Sequence, residues 1–196
     1  MNDVLRAALL LLFLTMALPA QNRLVEGRPD SPVRVLVYES LQCGDCTTFR
    51  RMMDERLLPK YGDRVAFEHR DFPLAKHTWS RPASIASRHF QATSPELAVA
   101  WRRHALDNLR SITAENFEQH LRAFAAARQA DPDAAAAALN DEKLIALVER
   151  DAAEGVARGI ARTPTVLVNG RPFIESFSYE ELAAAIDEAL AAEGKP

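Results

Sequence analysis

The sequence predicts an α/β fold with a mixed central sheet, in the order β-α-β, a helical block, then β-β-α. Three observations carry this. Two apolar runs, Val33 to Tyr38 and Val65 to Phe72, flank a helical pattern, so they form a β-α-β unit with parallel strands. From Leu74 to Arg158 no strand pattern occurs and helical segments follow one another. Strand patterns then return around Asn169-Gly170, a hairpin dipeptide, and a last amphipathic segment follows. At 196 residues the chain suits one core carrying a large insertion.

Each element has a local reason. Val33 to Tyr38 reads as a buried strand, bounded by Pro32 and Ser40. The helix from Thr47 to Leu58 carries Phe49, Met52, Met53 and Leu57 near helical spacing, with Pro59 and Gly62 as its stop. Val65 to Phe72 alternates in its first part and ends at Pro73. In the helical block, Ser94-Pro95-Glu96 offers a capping serine with proline in the first turn. Thr113-Ala114-Glu115 opens a helix with Phe117, Leu121 and Phe124 on one face. Asp131-Pro132-Asp133 opens the alanine-rich run Ala134 to Ala138, and Asn140 or Asp141 caps a helix carrying Leu144, Leu147, Val148 and Ala152. Thr165 to Val168 and Arg171 to Ile174 form the hairpin. Pro172 has no N–H for a ladder and so marks an edge strand. Ser178 and Glu181 make a capping box for a helix burying Leu182, Ile186 and Leu190.

Composition excludes several classes. Hydrophobic content of 48% and charged content of 26% are those of a globular protein. A net charge of −3 and the lack of a basic stripe argue against nucleic acid. Neither G-x-x-x-x-G-K nor G-x-G-x-x-G occurs, which argues against a phosphate-cradling loop. The N-terminus is separate: Ala7 to Leu18 is an apolar run, shorter than the about 20 residues of a membrane span, with small Ala20 after it. It predicts a signal peptide over 1–20, a polar linker over 21–32 and an exported domain over 33–196, with the helical insertion at about 75–158. An uncleaved membrane anchor is the alternative.

The chemistry concentrates in Cys43-Gly44-Asp45-Cys46, which holds both cysteines of the chain and lies at a strand-to-helix junction. Free N–H groups and the positive end of the dipole stabilise a thiolate at a helix start. Two residues between the thiols allow them to close a small disulfide ring. C-x-x-C beside a β-α pattern reads as a thioredoxin-like redox pair. A structural zinc site would need four ligands, and neither a second pair nor H-x3-5-H spacing among His69, His77, His89, His104 and His120 supplies them. A purely structural disulfide is the other alternative, although so short a ring restrains the unfolded chain little.

Four stretches carry a resemblance to a known family. They are the strand leading to Gln42-Cys43-Gly44-Asp45-Cys46, Arg70 to Leu74 with His77 beyond, Trp101 to Leu109, and Gly159 to Thr165 running into Val168-Asn169-Gly170. Together they resemble the DsbA family of exported thiol–disulfide oxidoreductases, with a thioredoxin-like fold. The resemblance implies that Thr163-Pro164 is a cis-proline loop facing the cysteines and binding an extended substrate segment. It also implies an oxidase of exported, periplasmic or extracytoplasmic proteins, with the Cys43–Cys46 disulfide as its redox group and no organic or metal cofactor. The implied partner is a quinone-linked membrane oxidase of DsbB or vitamin-K-epoxide-reductase type, and the implied state is a monomer. Cys43 is expected to be the nucleophile, more exposed and more acidic, and Cys46 the resolving thiol. A disulfide reductase or isomerase, or a non-catalytic peptide-binding module, are the rival readings.

Three departures from the family pattern bear on potential. Arg162 stands where glycine usually precedes Thr-Pro, and Gly44-Asp45 replaces the Pro-His of strong oxidants. Val37 stands at the position of the family's buried acid, and Glu39 is expected to face away or leave the strand. Asp45 is expected to oppose the Cys43 thiolate by like charge, with Arg162 offsetting part of this. His77, Trp79 and Trp101 are expected to be packing residues of the helical block.

Overall fold

A computed structural model describes residues 23–194. The signal-peptide expectation lies outside these residues. The strands are β1 (Val25–Gly27), β2 (Arg34–Glu39), β3 (Ala66–Asp71), β4 (Thr165–Val168) and β5 (Arg171–Ile174). They form one sheet in the order β1-β3-β2-β4-β5. β2 and β3 run parallel, and β1, β4 and β5 join antiparallel, so the sheet is mixed. The residues read as linker include β1, whose Glu26 pairs with Phe67. Three residues are too few to show a period of two, so the pattern did not reveal this strand.

α1 (Gly44–Met52) runs through a π-helical turn (Met53–Leu57) into α2 (Leu58–Tyr61). Pro59 therefore does not stop this helix. A proline lacks an N–H and crowds the carbonyl four residues back, and the wider π turn before it accommodates both defects. The insertion holds α3 (Ser80–Thr93), α4 (Pro95–Asp107), α5 (Phe117–Ala127), α6 (Pro132–Ala137) and α7 (Glu142–Ala157). Ser94, Asp131 and Asp141 cap α4, α6 and α7 through their side-chain oxygens. The helix expected from Thr113 starts only at Phe117, because Thr113 and Asn116 hydrogen-bond to each other in a turn. α8 (Tyr179–Glu193) opens with the Ser178–Glu181 capping box. Among the described residues no helix is long and apolar enough to cross a membrane.

Period two divides the sheet's faces. Val35 and Val37 join Phe67, Val166, Phe49, Leu57, Leu182 and Ile186 in a core between the sheet, α1–α2 and α8. Tyr38 points the other way, to Phe72, Ile160 and Leu167. The insertion has its own core around Phe90, Trp101, Phe117, Leu121 and Phe124, which also takes in both cysteines. The hairpin turn puts Asn169 at φ 44° and Gly170 at φ 92°, as a primed turn requires. Asn169 Oδ1 then accepts from the Arg34 N–H at 2.9 Å, tying the hairpin to the start of β2.

Gly155 on α7 faces the Tyr38–Phe72 ring pair. A Cβ there would stand 2.6 Å from a Phe72 ring carbon and 3.1 Å from Tyr38. Gly155→Ala is therefore expected to destabilise by about 1–3 kcal/mol through overpacking, although alanine favours helix by about 1 kcal/mol. A melting curve equal to or above wild type would show that α7 shifts without cost.

Candidate active site

Cys43 is the N-cap of α1, with extended backbone at φ −107° and ψ 126°. That conformation aims its sulfur across the first helical turn, where serine or aspartate usually caps. Residues 40–43, between β2 and α1, are braced from the helical block. Ser40 Oγ lies 2.7 Å from both His77 Nδ1 and Ser80 Oγ. The Leu41 N–H donates to Ser80 Oγ at 3.0 Å, and the Trp79 N–H donates to Gln42 Oε1 at 2.7 Å. The bracing role of Ser40, Gln42 and Ser80 does not show in the sequence because their partners are nearly 40 residues away. The one local signal was polar residues at the ends of apolar elements. His77 holds Ser40, and Trp79 and Trp101 are fully buried packing residues.

Both cysteines are free thiols, Cys43 at 7% exposure and Cys46 at 0%. A hydrogen bond from Cys46 brings Cys43 down to about 6; burial opposes, and Thr163 and the N–H groups of Cys46 and Asp45 assist. Burial raises Cys46 well above its ordinary value, helped by the Cys43 charge and by Glu39. The two thiols thus split, one reactive and one inert. Iodoacetamide is expected to alkylate the reduced protein at Cys43 with half-maximal rate near pH 6, leaving Cys46 unmodified below pH 9. A Cys43 midpoint near pH 9 would mean that the Cys46 hydrogen bond does not form.

Thr163 and Pro164 reach the pair from the loop before β4. The Thr163–Pro164 bond is cis. Cys43 Sγ donates to the Thr163 carbonyl at 3.2 Å. Thr163 is buried, its backbone carbonyl takes the contact with the sulfur, and its hydroxyl has no hydrogen-bond partner. Gly44 and Asp45 are exposed on the first turn of α1. Arg162 is 67% exposed and pairs with Glu175 at 2.6 Å, so its charge is spent there.

Behind Cys46 lies a layer of buried charge. Glu39 is in β2, buried, and on the same face as Val37, since residues two apart share a face. The expectation that Glu39 faces away was therefore wrong. Its carboxylate accepts from Arg102 Nε at 3.2 Å and meets His69 Nδ1 at 2.6 Å. Burial acts to raise Glu39, but Arg102 and His69 outweigh it and bring it down to about 2. His69 also meets Glu26 Oε1 at 2.8 Å; against its own burial, the two carboxylates raise its pKa. Arg102 Nη1 reaches Asp71 Oδ1 at 2.8 Å, and Arg88 joins Asp71 to Asp151. The arrangement presents one acidic thiol over a fixed negative and positive lattice, with an apolar helical wall beside it.

Comparisons with known proteins find the same fold. The thioredoxin family model matches residues 20–188. Solved structures share the fold. α-DsbA1 from Wolbachia pipientis is 21% identical with a TM-score of 0.76, covering 90% of this chain and 94% of that one. BdbD from Bacillus subtilis, in its oxidised form, is 22% identical with a TM-score of 0.73, covering 88% and 95%. DsbA from Chlamydia trachomatis is 17% identical with a TM-score of 0.73, covering 87% and 93%. Among curated proteins, the Na(+)/H(+) antiporter NhaA of Herminiimonas arsenicoxydans is 26% identical over 171 residues. That match takes in 83% of this chain but 25% of the antiporter, so the chain spans about a quarter of that relative.

Proposed function

The chain belongs to the thioredoxin family, and from that premise we propose that it is a thiol–disulfide oxidoreductase that oxidises exported proteins through Cys43 and Cys46. In the oxidised form the two sulfurs are bonded. A substrate thiolate attacks Cys43 Sγ, the Cys43–Cys46 bond breaks, and Cys46 leaves as a thiolate that takes up a proton. A second substrate thiolate attacks the substrate sulfur of the mixed disulfide. The substrate leaves with a disulfide, and Cys43 leaves as a thiolate, two electrons having passed to the protein. Thr163 holds the attacking segment beside Cys43 by pairing its backbone with the segment's extended backbone, and the cis bond to Pro164 presents Thr163 for this.

The observation that carries this reading is the geometry of the pair: Cys43 stands at the N-cap of α1 against the cis Thr163-Pro164 loop, 3.2 Å from the Thr163 carbonyl, with Cys46 fully buried behind it, and Cys43 is brought down to about 6. A stable thiolate is a good leaving group, and it stabilises the reduced form, which makes the disulfide oxidising. Turnover as an oxidase needs reoxidation by a membrane partner of the quinone-linked DsbB or vitamin-K-epoxide-reductase type. The DsbA-like fold and the apolar run Ala7 to Leu18 support an extracytoplasmic location. Equilibration with glutathione tests the reading: the pair should exchange reversibly at a potential between those of DsbA and thioredoxin. A pair that does not exchange would leave only a binding module.

Gly44 and Asp45 tune that potential. Glu175 holds Arg162, so Arg162 offsets little of the Asp45 charge. Asp45→His is expected to make the protein more oxidising by about 15–30 mV and to lower the Cys43 pKa. An unchanged or more reducing variant in the same titration would assign the potential to the helix start alone.

A further inference from the structure

A cleft of about 450 Å³ opens beside Cys43, between α1 and the turn after α4. Gly44, Thr47 and Arg51 line one wall, and Asp107, Leu109 and Arg110 the other. The walls are fixed to each other. Thr47 Oγ1 donates to the Leu106 carbonyl at 3.2 Å, and a Cβ on Gly44 would stand 3.9 Å from Leu109 Cδ2. The cleft therefore begins at the residue after the reactive thiol.

Its arginines are unlike the rest. Every other arginine among the described residues meets a carboxylate or an aromatic ring. Arg51 and Arg110 are exposed and meet neither. Asp107 shares their cleft, and Asp45 stands nearby on α1, both exposed. Two unpaired guanidiniums against one carboxylate leave the cleft itself positive. A guanidinium fork matches a carboxylate.

We propose that this cleft is a specificity subsite for carboxylate-bearing residues flanking the cysteine of the thiol substrate. This rests on the thiol–disulfide reading above. The attacking cysteine must reach Cys43, so neighbouring residues of its chain pass Gly44. Glutamate or aspartate there meets Arg51 and Arg110, whereas lysine is repelled. The interaction is exposed, so it acts as a modest preference that salt weakens.

The test measures reduction of the Cys43–Cys46 disulfide by three peptides, identical except for Glu, Gln or Lys on both sides of one cysteine. Rates are normalised to each peptide's thiolate fraction. In wild type at low salt the order should be Glu, Gln, Lys, with about fivefold between first and last, shrinking at high salt. In Arg51→Glu/Arg110→Glu the order should reverse. Comparing the Glu-to-Lys ratio between the two proteins cancels the peptides' own chemistry. Equal rates in wild type, or an order unchanged in the variant, would overturn the subsite. So would a Cys43 alkylation midpoint displaced from pH 6 in the variant, because the arginines would then act through the thiolate. If β-mercaptoethanol reduces the pair while the peptides show no order, the subsite fails and the oxidoreductase reading stands. If nothing reduces the pair, both fall.

Discussion

Cys46→Ala is expected to raise the Cys43 thiol from about 6 by roughly one to two units and to stall the protein as a mixed disulfide with its substrates. The hydrogen bond from Cys46 is the largest influence holding Cys43 low. Alanine removes the donor, leaving Thr163 and the N–H groups of Asp45 and Cys46 to stabilise the thiolate. Serine keeps a donor at the same place, so Cys46→Ser should trap mixed disulfides with a smaller shift. Cys43→Ser should abolish exchange and trap nothing, because Cys46 is fully buried and kept protonated. Non-reducing gels of substrate mixtures and the pH profile of alkylation read the two effects separately. Mixed disulfides formed by Cys43→Ser and not by Cys46→Ser would reverse the assignment.

The same thiol links redox state to pH. Its pKa is lowered on folding from about 9 to about 6 in the reduced protein. Stability from this group is therefore absent below pH 6, grows between pH 6 and 9, and is complete above pH 9. The oxidised protein has no such proton to lose. The reduced form should accordingly gain stability over the oxidised form as pH rises through that window, and the disulfide should become more oxidising relative to a couple that does not ionise there.

Much of the frame was legible because its signals are local. Caps at Ser94, Asp131, Asp141 and Ser178 each need only three or four neighbouring residues, and the structure has all of them. Asn169-Gly170 specifies its own turn, and the change from strand to helix pattern places Cys43 at the helix start. What failed to show depends on distance or on fine parity. β1 is too short for a period. The π turn that carries α1 past Pro59 leaves no pattern. Glu39 could have been placed by counting two residues from Val37, yet nothing nearby marks Arg102 and His69 as its partners, 63 and 30 residues away. The Ser40–His77–Ser80 brace is likewise invisible until β2 and α3 are set side by side.

Arg102 is where those long-range choices meet, and Arg102→Met should destabilise the protein more than any other single change discussed above. Its guanidinium is buried and spans Glu39 and Asp71, themselves buried and adjacent in register on β2 and β3. Removing one partner from a buried charge network costs about 3–5 kcal/mol, because the remaining charges keep their desolvation penalty. Methionine fills the volume, so the loss should report charge rather than a cavity. The sign of the pH dependence separates this from simple misfit. In wild type the Glu39 and Asp71 carboxyls are held down, so their contribution is present above about pH 4.5 and lost as pH falls toward 2. Without Arg102, burial and mutual repulsion should raise both carboxyls, so the variant should regain stability as pH falls from 7 toward 5. Glu39 also helps hold Cys46 protonated. Urea unfolding of the oxidised variant at pH 7 and pH 5 decides the matter: a loss under about 1 kcal/mol at pH 7, or one unchanged at pH 5, would mean that water rather than Arg102 compensates these carboxylates.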